Sequence, residues 1–318
     1  MTAWPEEIPQ VRPLQTAVLF LVFNRPDTTA RVFEAIQQAK PPRLYVAADG
    51  PRDGREDEAE RVAKVREIAT KVDWPCDLKT LFREKNLGCK YAVSGAITWF
   101  FEQEEQGIIL EDDCLPSQSF FWYCEELLVR YKDNKKVFLI SGRNECGEWG
   151  DDSSSYFYTL GSIWGWASWR RAWSYYDVHL DNWGDKKHEL EIDLFIDSFP
   201  EKAREILNGC ESVRKGTCDS WAYQWAYARI VNRGLGVVPK YNLIRNIGFG
   251  ENATHTLARS KHEENLKLFE MPFPLIHNND FKFNAEYYNI VYPRKKIMRP
   301  ALYAIKKMRK WVNIKCQS

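Results

Sequence analysis

At 318 residues the chain has room for one large α/β domain, or a domain with an elaborated second half. Forty-five Lys and Arg against 44 Asp and Glu leave a net charge of +1, so no overall field recruits nucleic acid, and 44% hydrophobic residues exclude disorder. No segment reaches the roughly 18 uninterrupted apolar residues of a membrane span, and residues 1–15 lack the apolar core of a signal peptide. Eight cysteines without a CxxC pair read as free thiols of a reducing cytoplasm.

Residues 1–15 form a Pro-punctuated arm. Residues 17–23, AVLFLVF, read as a strand buried on both faces, ended by Asn24, Arg25 and Pro26. Asp27 or Thr28 can cap the helix that follows, in which Val32, Phe33, Ile36 and Ala39 share a face, and Pro41 and Pro42 stop it. A second strand over 44–48 closes on the turn Asp49-Gly50-Pro51-Arg52. A charged helix over 57–71, a strand over 78–82, the polar run 83–88 and a helix over 89–102 come next. Gly107 breaks that helical pattern, and Ile108, Ile109 and Leu110 make a fourth buried strand. It runs into Glu111, Asp112 and Asp113. Ser117 can cap a helix to 132, and 137–141 is a fifth strand ending in Gly142, Arg143 and Asn144.

Alternating strands and helices predict an α/β fold: a doubly wound, mostly parallel sheet with right-handed crossovers. Such sheets bind ligands outside the carboxyl ends of their strands. Polar groups gather on that rim: Asn24 and Arg25, Asp49, the three acids, then Arg143 and Asn144. Adjacent carboxylates repel one another and cannot follow a strand into the core unless something positive sits among them. A hard divalent cation with oxygen ligands answers this, and the alternative is a solvated acidic turn. Acids mixed with Arg25 and Arg143 suit a metal-bound polyphosphate. Neither GxGxxG nor GxxxxGK[ST] is present, which disfavours a dinucleotide site and excludes a P-loop.

The ordered set FNRP (23–26), ADGPR (48–52), NLG (86–88) and Glu-Asp-Asp (111–113) resembles the GT-A glycosyltransferases, in particular the branch around N-acetylglucosaminyltransferase I and its bacterial relatives. The resemblance covers 16–145 and returns at 219–256. It implies a nucleoside-diphosphate sugar donor, UDP-sugar favoured, with Mn²⁺ or Mg²⁺ as cofactor. By that resemblance Asp113 is the direct metal ligand, Asp112 faces the ribose or a metal-bound water, and Glu111 supports them. Asp49 would accept from a nucleobase N–H, Asn24 and Arg25 would contact the nucleotide, and Asn86 and Lys90 would reach phosphates or sugar beside a helix N-terminus. For Arg25 a helix-start salt bridge, and for Lys90 a solvated helix face, are the plain alternatives.

Residues 16–145 thus read as a donor-binding subdomain and 146–290 as an acceptor-binding, catalytic one. The chain as a whole holds 13 Trp, 15 Tyr and 17 Phe, which bears on the second half. After a strand over 156–160 comes GSIWGWASWRRAW, where helical spacing gives Trp169 and Trp173 a core role and one of Trp164 or Trp166 lines a sugar. Residues 174–218 read as loops with a short helix over 201–207. A helix, a turn at Gly234 and a strand over 237–238 follow.

In the family this last helix begins with the catalytic base of an inverting transfer. Bacterial members carry an acid where this chain has Ala222 in Trp221-Ala222-Tyr223-Gln224-Trp225. Asp219 either replaces that base or caps its own helix. Late His255 is a candidate metal ligand, and Phe249 and Gly250 resemble residues shaping the donor pocket. The tail, 291–318, is a basic amphipathic segment suited to an anionic membrane surface. The expectation is an inverting glycosyltransferase of bacterial surface polysaccharide or glycoconjugate synthesis, acting on a saccharide or lipid-linked saccharide. It would work in the cytoplasm or at the inner face of the membrane. The alternative is an inactive carbohydrate- or nucleotide-binding protein on the same fold.

Overall fold

The computed structural model describes residues 12–249 and 266–292. The first half alternates as the sequence predicts: β1 (Val18–Val22), α1 (Pro26–Ala39), β2 (Arg43–Ala48), α2 (Glu56–Ala69), β3 (Asp77–Phe82), α3 (Gly88–Gln103), β4 (Gln106–Glu111), β5 (Cys114–Pro116), α4 (Ser119–Arg130) and β6 (Val137–Ser141). The second half supplies β7 (Tyr156–Thr159), β8 (Trp166–Trp169), α5 (Arg170–Trp173), α6 (Glu189–Ser198), α7 (Pro200–Arg214), α8 (Ala222–Val231), β9 (Leu235–Pro239), β10 (Ile244–Asn246) and α9 (Ala285–Val291).

Eight strands form one sheet in the order β3-β2-β1-β4-β8-β6-β9-β7. Strands β1 to β4 are mutually parallel. β8 runs antiparallel between β4 and β6, β9 pairs parallel with β6, and β7 closes the edge antiparallel to β9. The architecture is α/β with a mostly parallel, doubly wound sheet. The order in which successive strands are added reverses between β1 and β4, the switch point at which such sheets open a crevice.

The unbroken apolar run of β1 is explained by its two covered faces. Val18, Phe20 and Val22 enter a core with Val32, Ile36 and Phe120, while Leu19 and Leu21 enter another with Ile97, Phe100 and Trp166. The WASW segment is a strand rather than the expected helix, and only Arg170–Trp173 turn helical. Trp166 is therefore a core residue: it is fully buried and stacks on Trp221 at 6.0 Å, with Trp173 and Trp225 around it. That corrects the expectation that it could line a sugar. Residues 174–218 hold two α-helices, α6 and α7, longer than the short one read from sequence.

Helix starts also differ from expectation. No side chain of its own first turn caps α1, which opens with Pro26 at its first position. The carboxylate of Glu270, not Ser117, accepts from the N–H groups of Gln118 and Ser119 at the start of α4. Seven cysteines, Cys76, Cys89, Cys114, Cys124, Cys146, Cys210 and Cys218, are free thiols. Among the described residues no helix is long and apolar enough to cross a membrane. His255, Gly250 and all of the basic tail after 292 lie outside the described residues.

Candidate functional site

β4 carries its apolar residues through the core and delivers Glu111 at its end, level with Leu21 of β1. Asp112 and Asp113 then form a tight turn into β5, which pairs with β10 as a small second ribbon. From β10 the chain runs on to Gly248 and Phe249, and Gly248 comes up against Asp113 and Arg25. A Cβ at Gly248 would lie 2.4 Å from the Asp113 carboxylate and 2.5 Å from Arg25, so only glycine permits this approach.

The positive group among the acids is Arg25. Its Nη2 donates to Asp112 and its Nη1 to Asp113 Oδ2 at 3.1 Å. The N–H of Phe23 donates to the other Asp112 oxygen at 3.2 Å. Burial opposes the Arg25 charge, yet Asp112 and Asp113 more than offset it and raise its pKa. One guanidinium does not balance three acids. Burial, then Asp113 and Asp112, push Glu111 up to about 8. Asp112 rises to about 6, through burial against the pull of Arg25. Among the described residues no three His, Cys, Asp or Glu side chains converge as a ready-made metal cage.

These acids border a cavity of about 290 Å³ outside the ends of β1, β2 and β4. One helical face of α3, with Cys89, Ala92, Val93 and Ala96, and the strand residues Ala47 and Ala48 give it an apolar wall. The Cys89 thiol is pushed up to about 12 by burial, with Glu111 and Asp219 adding to it, so it stays neutral. Asp49, Asn86, Arg25, Asp219 and Trp164 all border this cavity, as do Arg52 and Arg83, which sequence reasoning left without a role. The same rim rule could have found both, since Arg52 closes the turn after β2 and Arg83 directly follows β3.

Several side chains do something other than expected. The Asp49 carboxylate accepts from the N–H groups of Gly50, Leu87 and Gly88, tying the β3–α3 loop to the end of β2. Burial raises its pKa, and those N–H groups with Arg83 partly offset the rise. Asn86 donates to the Gly50 carbonyl at 2.8 Å, fastening the same loop. Asn24 donates to Glu58 at 2.8 Å and does not border the cavity. Lys90 turns away, its ammonium 5.0 Å from the Tyr91 ring centre, and it too is off the cavity.

Asp219 caps a helix, but not its own. Its two oxygens accept from Cys89 and Lys90 N–H at 2.7 and 2.8 Å, at the start of α3. Gly88, at φ +78°, makes room: a Cβ there would stand 2.5 Å from Asp219 Oδ2. Ala222, the first residue of α8, offers no acid. Trp164 is half-buried, with the guanidinium of Arg143 4.4 Å over its ring. Arg143 itself is buried, forks onto Glu145 at 2.8 and 2.7 Å, and borders a second cavity rather than the first.

No protein-family model matches the chain. No curated protein matches it either. Among solved structures it is similar to S. aureus TarS 1-349, at 12% identity over 72% of this chain and 59% of that one, TM-score 0.37. It is also similar to UDP-glucose pyrophosphorylase complexed with UDP-glucose, at 9% identity over 72% and 91%, TM-score 0.35. A third is HddC from Yersinia pseudotuberculosis, at 9% identity over 49% and 78%, TM-score 0.30. Similarity this distant assigns no residue a role, and the fold rests on the strand order itself.

Proposed function

We propose that the chain is a metal-dependent glycosyltransferase. It moves a sugar, with inversion, from a nucleoside-diphosphate sugar, UDP-sugar favoured, to a saccharide or lipid-linked saccharide acceptor. The observation that carries this reading is the cavity at the switch point, apolar along α3 and charged along the strand ends. A nucleobase suits the wall of Ala47, Ala92 and Ala96, where its polar edge meets Asp49 and the loop backbone that Asp49 holds. A diphosphate suits Arg83, which is half-buried and enters no ion pair among the described residues.

The acidic corner is under-neutralised by Arg25 alone, and that donor set suits a divalent cation. Such ions take one or two carboxylates and fill the rest of their shell with phosphate and water, so no complete protein cage is needed. Asp113 would hold Mn²⁺ or Mg²⁺, with Asp112 and Glu111 behind it. When bound, the ion supplies neutralisation of the charge that grows on a departing diphosphate. Arg25 would then share the phosphates with it. Asp219 borders the same cavity and would take a proton from an acceptor hydroxyl.

One observation favours a second reading, an inactive donor-binding protein: Ala222 lacks an acid and both Asp219 oxygens already serve α3. Thermal shift with UDP, GDP and dTDP, with and without Mn²⁺, separates a donor site from none. We expect UDP with Mn²⁺ to stabilise the parent and Asp113→Ala to lose that gain. An equal response in the variant would remove the metal assignment. Turnover of a UDP-sugar then separates the transferase from the inert binder.

A further inference from the structure

The 161–164 loop divides two cavities. Trp164 borders the one just described, while Gly161, Ser162 and Ile163 border a second of about 170 Å³. Helix α8 gives this second cavity Ala222, Ala226 and Arg229, and Tyr287, Tyr288 and Tyr292 come from α9 and its end. Five charged side chains line it, and four of them pair off. Arg143 forks onto Glu145, and Lys202 meets Glu205 at 2.7 Å.

Arg229 is left over. It is 4% exposed, its Nη1 donates to the Leu160 carbonyl, and its Nε has no hydrogen-bond partner among the described residues. Among the described residues it enters no ion pair, and burial draws its pKa down to about 10 against the pull of Tyr288 and Tyr292. The Tyr288 hydroxyl, equally buried, also lacks a partner among the described residues. Arginine keeps its charge in proteins, so a buried guanidinium without a counter-ion is costly unless an anion arrives. The space exceeds that of a lone oxyanion, and its tyrosine faces with the Thr159 and Ser162 hydroxyls suit a sugar ring.

We propose that this cavity binds an anionic sugar, one bearing a carboxylate or a phosphate, with Arg229 as its counter-ion and Tyr288 as a second donor. Only the further step, that this sugar is the acceptor, rests on the glycosyltransferase reading; the binding itself does not. The site adjoins Ala222, so an acceptor held here would present its hydroxyls beside the start of α8.

The test is calorimetric titration of the full chain with glucuronate, glucose 6-phosphate and glucose, each with and without saturating UDP and Mn²⁺. At least one anionic sugar should bind tenfold or more tighter than glucose, and UDP should not displace it. Glucuronate alone would identify the carboxylate form, and glucose 6-phosphate alone the phosphate form. Arg229→Gln should weaken that binding at least tenfold and leave the UDP response unchanged. Should that variant not fold, Tyr288→Phe, a hydroxyl deletion, should still weaken it at least threefold. The proposal is overturned if both anionic sugars bind no better than glucose, if UDP displaces them, or if the folded variants bind as the parent does. Loss of the UDP response with anion binding intact would instead sink the donor reading alone.

Discussion

Arg25 is the cation that meets Asp112 and Asp113, and its removal is informative. With Arg25→Gln the corner would hold three acidic side chains and no cation. Breaking a largely buried pair costs about 3 kcal/mol or more, and denaturant titration at neutral pH should register that loss. Added Mn²⁺ should restore part of it, because the ion replaces the missing charge; no restoration would mean that the corner has no cation affinity. Glu58 gives a cleaner pH signal. The Arg52 guanidinium outweighs burial and, with the Arg52 N–H and the Asn24 amide, holds its carboxyl down to about 2 from an ordinary 4.5. A folded-state value below the unfolded one contributes stability above the unfolded value and loses it as pH falls from there through the folded value. Glu58→Gln should therefore narrow the gap between urea midpoints at pH 6 and pH 3, and an unchanged gap would contradict the assignment. Residue roles were only partly legible in sequence. Rim position was readable for Asp49 and Asn86, but the Leu87 and Gly88 N–H groups that occupy Asp49 are a matter of loop conformation.

At the scale of elements, carboxylates far along the chain cap two helices. Asp219 caps α3 across 130 residues, and Glu270 caps α4 across 151. An Asp before Ser-Trp-Ala reads locally as the cap of the next helix. The winner is decided in three dimensions, where Gly88 leaves the α3 amides open to Asp219. Asp219→Ala should cost about 0.5–2 kcal/mol, measurable as a lowered melting temperature, whereas Asp219→Asn keeps an acceptor and should cost less. If Asp219 also takes the acceptor proton, both variants lose turnover, because an amide cannot serve as a base at neutral pH. A turnover loss that tracks only the stability loss would leave Asp219 a cap. Strands β1, β2, β4 and β6 were legible because burial on both faces demands an unbroken apolar run. β8 was not: WASW followed by RRAW fits either period, and pairing with both β4 and β6 selects the strand.

For the molecule as a whole, the order β4-β8-β6 has a mechanical consequence. β8 comes from the aromatic second half, yet its hydrogen-bonding edges are both taken by strands of the first. The two cavities therefore border one continuous sheet, with Trp166 near its middle among Trp173, Trp221 and Trp225. Trp166→Ala should cost about 3–5 kcal/mol, as large aromatic truncations in a packed core do. Because β8 bridges the halves, that loss should be shared. Hydrogen exchange by mass spectrometry can compare peptides over β1 with peptides over β9, on opposite sides of β8. Cores that open only by global unfolding lose protection by the full change in stability, so the two peptides should lose protection by equal factors. If β9 loosened while β1 kept its protection, the halves would open separately, and the two cavities would belong to independently folding units instead of a single frame.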